Sequence, residues 1–197
     1  MTFSTPKLRQ WAASRPAMGI ALAWGLMEAT FFFVVPDVLF SLTSLLFPLF
    51  GILHACLSVV GSVIGGIIMY AIAYSHPLES YRFLLSVPGI PPEMAAQVYE
   101  QLQERGLTAL FAAPWSGIPY KIYAACAGIL KLNLTQLVLV TIPSRLQRIL
   151  LISIFAGLLG KAFKKSIEKH TKIWILCYCI FWIVFYGFYA YSIGSRY

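Results

Sequence analysis

The sequence has 197 residues, of which 59% are hydrophobic and 11% are charged, and its mean hydropathy is +0.77. Soluble domains carry about 25% charged residues, so this composition excludes an ordinary water-soluble protein and predicts a single integral membrane domain. The net charge of +8 does not indicate nucleic-acid binding, because most basic residues flank apolar segments, as the positive-inside rule describes.

The chain begins with a basic segment, residues 1–16, and continues with an apolar segment, residues 17–36. Glu28 is the charged residue within this apolar segment, and Asp37 follows directly after Pro36. Proline interrupts helices, because it lacks a backbone N–H. We therefore predict a helix break or hairpin tip at Pro36.

Residues 38–75 contain no Asp, Glu, Lys or Arg. This stretch is too long for one membrane span, which needs about 20 residues. We predict that Pro48 and Gly51 divide it into a short apolar piece, 38–50, and a full span, 52–74. Three glycines of this span suit close packing between helices: Gly61, Gly65 and Gly66.

Residues 75–106 form a polar stretch with one predicted helix in PPEMAAQVYEQLQERG. Pro92 suits the first turn of that helix, Glu93 suits its positive end, and Gly106 is a plausible stop. Its apolar residues share one face, which predicts a packing or interfacial helix: Met94, Val98 and Leu102.

A second interrupted apolar segment covers residues 107–130. Pro114, Gly117 and Pro119 fall within six positions of each other, and Lys121 follows. This pattern predicts another broken helix that carries an ionisable residue.

Residues 132–160 are long enough to cross the membrane and contain Pro143, Arg145 and Arg148. The two arginines are three positions apart and therefore share a helix face. Guanidinium groups at mid-membrane suit a carboxylate or phosphate. Two alternatives remain: the arginines form a buried structural pair with Glu28 and Asp37, or the helix starts later and leaves them at an interface.

The last part of the chain combines a basic segment, 161–172, with an aromatic-rich segment, 173–197. The first predicts a cytoplasmic loop, and the second a C-terminal transmembrane helix.

The hydropathy pattern is twofold, because a broken apolar pair precedes a full span in residues 17–74 and again in 107–160. Such paired interruptions are typical of inverted-repeat transporters. With two re-entrant hairpins and about three full crossings, the N-terminus and residues 161–172 are cytoplasmic and residues 75–106 are outside. This arrangement agrees with the charge bias. A full crossing by residues 17–36 would break that agreement.

Five charged residues fall where the bilayer is expected, at a cost of about 2.5–3.5 kcal/mol each at a helix centre. Such residues must face the protein interior, water or one another. They are Glu28, Asp37, Lys121, Arg145 and Arg148. Scattered histidines and cysteines form no metal-binding or nucleophile–base pattern, so we expect no metal, cofactor or enzymatic activity.

Several stretches resemble members of the DedA/SNARE-associated (VTT-domain) membrane protein family. MEATFFFVVPD resembles the acidic first hairpin of the family, and GSVIGGIIMYAIAY its glycine-rich helix. PWSGIPYKIYAACAGILKL resembles the second hairpin, and SRLQRILL is similar to the signature of the small YqaA-like branch. The resemblance covers roughly residues 20–160.

This resemblance implies an all-α fold with two facing re-entrant hairpins. It also implies lipid translocation, as polyprenyl-phosphate recycling in bacterial members or phospholipid scrambling in eukaryotic ones. Glu28 and Asp37 match the acidic positions that the family associates with proton coupling. Family members carry two arginines in the second hairpin, where this sequence has Lys121 as the nearest base. We expect Arg145 and Arg148 to supply that charge.

The function that follows is a membrane transporter of the flippase or scramblase type, which moves an anionic lipid or lipid-linked phosphate, with proton coupling as an option. Its expected partners are membrane lipids and, as an option, a second copy in a homodimer. A bacterial member would lie in the inner membrane. The alternatives are a non-transporting scaffold or assembly factor and an ion-coupled transporter of small solutes.

Overall fold

The computed structural model describes residues 5–196, and these residues form helices and turns without any strand. The prediction of an all-α protein is confirmed. Residues 1–4 of the predicted basic N-terminus, and residue 197 at the end of the predicted C-terminal helix, lie outside the described range.

Eleven α-helices and one 3-10 helix (Gly106–Phe111) make up the described chain. In chain order the α-helices are α1 (Thr5–Ala12), α2 (Arg15–Glu28), α3 (Asp37–Leu46), α4 (Pro48–Ser75), α5 (Pro77–Ser86), α6 (Pro92–Arg105), α7 (Ala113–Ser116), α8 (Tyr120–Ile129), α9 (Leu134–Ala162), α10 (Lys164–Lys169) and α11 (Thr171–Arg196).

Within the described residues, three helices are long and apolar enough to cross a membrane: α4, α9 and the first 22 residues of α11. This agrees with the predicted number of full crossings and with an integral membrane protein. The remaining helices have 14 residues or fewer. At 1.5 Å per residue they are about 21 Å long at most, shorter than the hydrocarbon core of about 30 Å.

The predicted division of residues 38–75 was displaced by a few residues. The two helices separate at Phe47, and α4 begins at Pro48, where the missing N–H of proline is not needed for a helical bond. Gly51 lies inside α4 and does not divide the stretch. It faces α3, because a Cβ at Gly51 would lie 2.0 Å from Ser44 Oγ.

Two segments predicted as loops contain additional helices. The polar stretch includes α5, which begins at Pro77 and has Glu79 in its first turn, and the lysine-rich segment includes α10. Both are short and polar, so hydropathy did not reveal them. The predicted helix α6 is present and ends at Gly106 with φ of +58°.

Helix α6 is a packing helix. Its apolar face is buried and belongs to the hydrophobic core that surrounds α8. In α8 itself, every residue from Tyr120 to Gly128 is buried. The core of the protein therefore surrounds the helix that follows the second break.

The short helix of each half contacts the long helix of the other half, and α3 also packs against α4 of its own half. Helix α3 packs against α9, and α8 packs against α4. Glycines allow both approaches, because a Cβ at Gly160 would lie 2.0 Å from the Leu45 carbonyl oxygen and one at Gly128 would lie 2.4 Å from the Tyr70 carbonyl oxygen. Each short helix thus contacts the long helix of the opposite half.

The basic segments lie at one end of the bundle. His54, in the second turn of α4, bonds through Nε2 to the Ala12 carbonyl oxygen at 3.0 Å, which brings α1 beside the start of α4. Gly157, near the end of α9, approaches Pro48. The N-terminal basic residues and the lysines after α9 therefore share an end, whereas α5 and α6 follow the far end of α4.

Candidate functional site

The first break separates Glu28, the last residue of α2, from Asp37, the first residue of α3. The helix ends eight residues earlier than the position of Pro36 suggested. Hydrogen bonds shape this connection: the Trp24 indole N–H donates to the Val34 carbonyl oxygen at 2.9 Å. Pro36 lies directly before α3 as its N-cap residue.

The second break lies between α7 and α8. Pro114 is in the first turn of α7, Gly117 follows that helix with φ of +76°, and Pro119 precedes α8. Only glycine adopts such a φ at low cost, so Gly117 permits the turn. The Ile118 N–H donates to Ser116 Oγ at 3.2 Å and closes it.

Two ion pairs connect the first break to the middle of α9. Arg145 donates a hydrogen bond to Glu28, and Arg148 Nη2 donates to Asp37 Oδ2 at 2.9 Å. Arg145 and both acids are almost completely buried, whereas 26% of the Arg148 side chain is exposed. Because the arginines are about one helical turn apart, one face of α9 binds both ends of the first break, Glu28 and Asp37.

Lys121 joins the second half to the first break. Its ammonium group donates to the Phe32 carbonyl oxygen at 2.6 Å, and 1% of the residue is exposed. A charge in this position is costly unless it is bonded. The Phe32 carbonyl oxygen, in the connection between α2 and α3, supplies that bond.

The ring of Tyr120 lies against the guanidinium group of Arg145. The Arg145 guanidinium lies 5.0 Å from the centre of the Tyr120 ring, as in a cation–π contact. The Tyr120 hydroxyl hydrogen-bonds Thr141 Oγ1 at 2.9 Å. Gly66 makes room for this ring, because a Cβ there would lie 2.2 Å from the Tyr120 hydroxyl.

Two polar atoms of these ion pairs have no hydrogen-bond partner among the described residues: Asp37 Oδ1 and Arg145 Nε. Both residues line a cavity of about 770 Å³. Buried polar groups are normally paired, so the ion pairs leave one acceptor and one donor unsatisfied beside the cavity.

The cavity has a charged part and an apolar part. All five charged residues predicted from the sequence line it, together with three of the predicted break residues, Pro114, Gly117 and Pro119. The remaining wall consists mainly of apolar and aromatic side chains from α9 and α11, such as Ile152, Phe155, Phe181 and Phe185. This combination suits a ligand with an anionic group and a hydrocarbon chain.

Helix α11 forms the outer wall and is connected by tyrosine hydroxyls. Tyr178 donates to the Val38 carbonyl oxygen at 2.6 Å, and the Val35 N–H donates to the Tyr186 hydroxyl at 2.8 Å. Tyr189 donates to the Gly117 carbonyl oxygen at 3.0 Å. One helix therefore bonds to both breaks. In the sequence this segment is only aromatic-rich, and no pattern in it indicates these bonds.

The other predicted residues have packing contacts. A Cβ at Gly61 would lie 2.0 Å from the Leu22 carbonyl oxygen, and one at Gly65 would lie 2.7 Å from that of Leu26. These two glycines lie where α4 contacts α2, away from the cavity. Among residues 5–196, no group of three or more His, Cys, Asp or Glu side chains could hold a metal ion.

Comparison with known proteins gives one relative over most of the chain. An uncharacterized protein of Haemophilus influenzae is 30% identical over 167 residues, which cover 85% of this chain and 86% of that protein. The chain belongs to the same family as that protein. A second relative, an uncharacterized protein of Histophilus somni, is 33% identical over 70 residues, or 36% of this chain and 37% of its own. No family model and no solved structure matches the chain significantly.

Proposed function

We propose that the protein moves an anionic lipid or lipid-linked phosphate across the bilayer, as a flippase or scramblase. The observation that carries this proposal is the cavity that joins buried basic groups to an apolar wall. The five charged side chains comprise two acids and three bases, so the cavity carries an excess positive charge. An anionic head group neutralises that charge while its chain occupies the apolar part.

The two breaks are proposed to be the tips of re-entrant hairpins within an inverted repeat. Three observations support this. Helices α2, α3 and α8 are too short to cross the bilayer, each short helix after a break packs on the long helix of the other half, and each break lies beside the charged cavity. These features agree with the architecture that the resemblance to the DedA/VTT-domain family implies. We propose that the protein has this architecture.

The orientation is proposed from charge. The N-terminal basic residues and the lysines of residues 161–172 lie at one end of the bundle, and that end is expected to be cytoplasmic. Glu79, Glu93, Glu100 and Glu104 all lie on α5 and α6, at the far end of α4.

In the proposed mechanism the head group first meets Arg148. This arginine is the more exposed of the two, and its planar guanidinium suits a phosphate. The phosphate replaces Asp37 as the partner of Arg148, while Lys121 and Arg145 provide further positive charge. The released Asp37 and the adjacent Glu28 then gate the movement or couple it to protons.

Transport in liposomes tests the proposal. Purified protein in proteoliposomes is expected to move a fluorescent anionic lipid between leaflets, and Arg148→Gln is expected to slow this at least fivefold. Arg82, on α5, is exposed. Arg82→Gln is the matched control and is expected to leave the rate within twofold of wild type. Equal rates for wild type, Arg148→Gln and protein-free liposomes would refute the proposal.

A parallel uptake experiment addresses small-solute transport. Uptake of radiolabelled inorganic phosphate into the same vesicles, with and without a proton gradient, is expected to stay at the level of empty liposomes. Uptake above that level would favour the alternative of an ion-coupled solute transporter.

One observation favours a second candidate, a non-transporting scaffold. Both acids already pair with arginines, as expected if the charges only hold helices together. The charge-swapped double variant Glu28→Arg/Arg145→Glu distinguishes the two functions. A scaffold regains full cellular function in the swapped protein, whereas a phosphate site does not, because the basic group is then in the wrong helix.

A further inference from the structure

The segment between α9 and α11 is strongly basic and exposed. Residues 161–172 contain five lysines and one glutamate, and each of these six side chains is exposed. Glu168 lies 4.0 Å from Lys164 and offsets only one of the positive charges. Four lysines therefore have no acidic partner within this segment: Lys161, Lys165, Lys169 and Lys172.

This segment adjoins the mouth of the cavity at its lysine-rich end. Leu159 of α9 and Trp174 of α11 both line the cavity, and each is two residues from a lysine, Lys161 and Lys172. The Trp174 ring contacts the Phe163 ring, with centroids 5.5 Å apart, and its indole N–H donates to Ser166 Oγ at 3.2 Å. Tryptophan in such a position is typical of membrane–water interfaces.

Apolar walls continue from this end to the ion pairs. On α9 they run from Leu159 through Phe155 to Arg148, and on α11 from Trp174 through Tyr178 to Phe185. Among residues 172–192 of α11, none is buried inside the bundle. Helices α9 and α11 therefore enclose a path that is apolar along its length and basic at one end.

We propose that residues 161–172 form a collecting site for anionic phospholipid, where the lysines hold the head group and one acyl chain lies between α9 and α11. Charge complementarity selects this occupant. Lysines next to a membrane span attract anionic lipids, and the apolar walls suit a chain rather than water. The delivery of this lipid to Arg148 rests on the proposed function. Its binding at the lysines is independent of that function.

Photo-crosslinking in nanodiscs tests the site. The full-length protein is reconstituted with photoactivatable phosphatidylglycerol or with phosphatidylcholine that carries the same chains, and peptides from α9 and α11 are analysed by mass spectrometry. We expect at least threefold more cross-linking near Leu159 and Trp174 with phosphatidylglycerol. Because salt screens charge, this preference is expected to vanish at 1 M salt, where the Debye length is about 3 Å.

Two variants distinguish lipid binding at this site from general attraction of anionic lipids to a basic protein surface. Replacing the five lysines of residues 161–172 with glutamine is expected to lower phosphatidylglycerol cross-linking to the phosphatidylcholine level. Lys7→Gln/Arg9→Gln removes exposed charge from α1, at the same end but outside the cavity lining, and is expected to change it by less than 1.5-fold. Circular dichroism verifies that both variants remain folded.

The outcomes are distinct. Equal cross-linking of the two lipids to the wild-type protein would overturn the collecting site even if transport is observed. Unchanged phosphatidylglycerol cross-linking in the five-lysine variant would do the same. Cross-linking that follows the lysines, while wild-type protein moves lipid no faster than protein-free liposomes, would support the site and reject the proposed function. Excess inorganic phosphate is expected to compete poorly, since it lacks a chain; full competition would show that the lysines bind a free anion and would also overturn the proposal.

Discussion

Arg145, in the middle of α9, is paired with Glu28 at the end of α2, and both side chains are almost completely buried. The pair joins the first half of the chain to the second. Its environment is apolar apart from Lys121, Tyr120 and the neighbouring pair of Arg148 with Asp37. The energetic consequence of breaking this pair is therefore large.

Removal of one partner is expected to destabilise the fold. Glu28→Leu leaves a buried guanidinium without its counter-ion, which typically costs about 3–5 kcal/mol. Unfolding in mixed micelles with increasing SDS measures the change. Glu168→Leu breaks the exposed pair with Lys164 and is the control, with an expected change of less than about 1 kcal/mol. Equal effects of the two substitutions would contradict the importance of burial.

The hydrogen bond from Lys121 to the Phe32 carbonyl oxygen predicts a second effect. Lys121→Met removes the charge and leaves a buried carbonyl unpaired, at a cost of about 1–3 kcal/mol. It also removes one base from the cavity, so transport is expected to fall at least tenfold. Lys131→Met is the matched control, because Lys131 is exposed and outside the cavity. Stability and lipid transport measured on the same preparations separate the two consequences.

Hydropathy and proline positions were sufficient for the three long helices and for the two breaks. Apolar length alone identifies α4, α9 and α11, and capping residues identified α6. The short helices α5 and α10 were missed, because each has ten residues or fewer and lies in a segment whose charged residues predict a loop. The boundary at Phe47 was displaced by a few residues, because a proline can end one helix or begin the next, and Pro48 begins α4.

The charged residues of the site were found because lipid makes them costly, and one alternative paired the arginines with Glu28 and Asp37, without assigning an acid to each arginine. Sequence indicates that two acids and three bases share the bilayer region. The pairing of Glu28 with Arg145, and of Asp37 with Arg148, depends on how α3 packs on α9. The backbone partner of Lys121 and the tyrosine bonds of α11 had no sequence signal, because a carbonyl oxygen belongs to every residue.

The bond from the Val35 N–H to the Tyr186 hydroxyl predicts a local change in amide protection. Tyr186→Phe leaves the Val35 N–H without this acceptor and loosens the contact of α11 with the first break. Loss of a bond worth about 1 kcal/mol corresponds to roughly fivefold faster opening. Hydrogen exchange at Val35 measures it. Tyr191→Phe is the control, since Tyr191 is 76% exposed, and protection at Val35 is expected to remain unchanged there.

Glycines at helix contacts give the last prediction. Gly61→Ala places a Cβ 2.0 Å from the Leu22 carbonyl oxygen, and backbone atoms cannot move aside as a flexible side chain does. The helices α2 and α4 must separate, so we expect destabilisation of about 1–3 kcal/mol. Gly19→Ala is the matched control, because its Cβ would meet nothing within 4 Å and alanine favours a helix by about 1 kcal/mol over glycine. The two substitutions should therefore shift the SDS unfolding midpoint in opposite directions. A shift in the same direction for both would mean that α2 does not lie against α4 at Gly61.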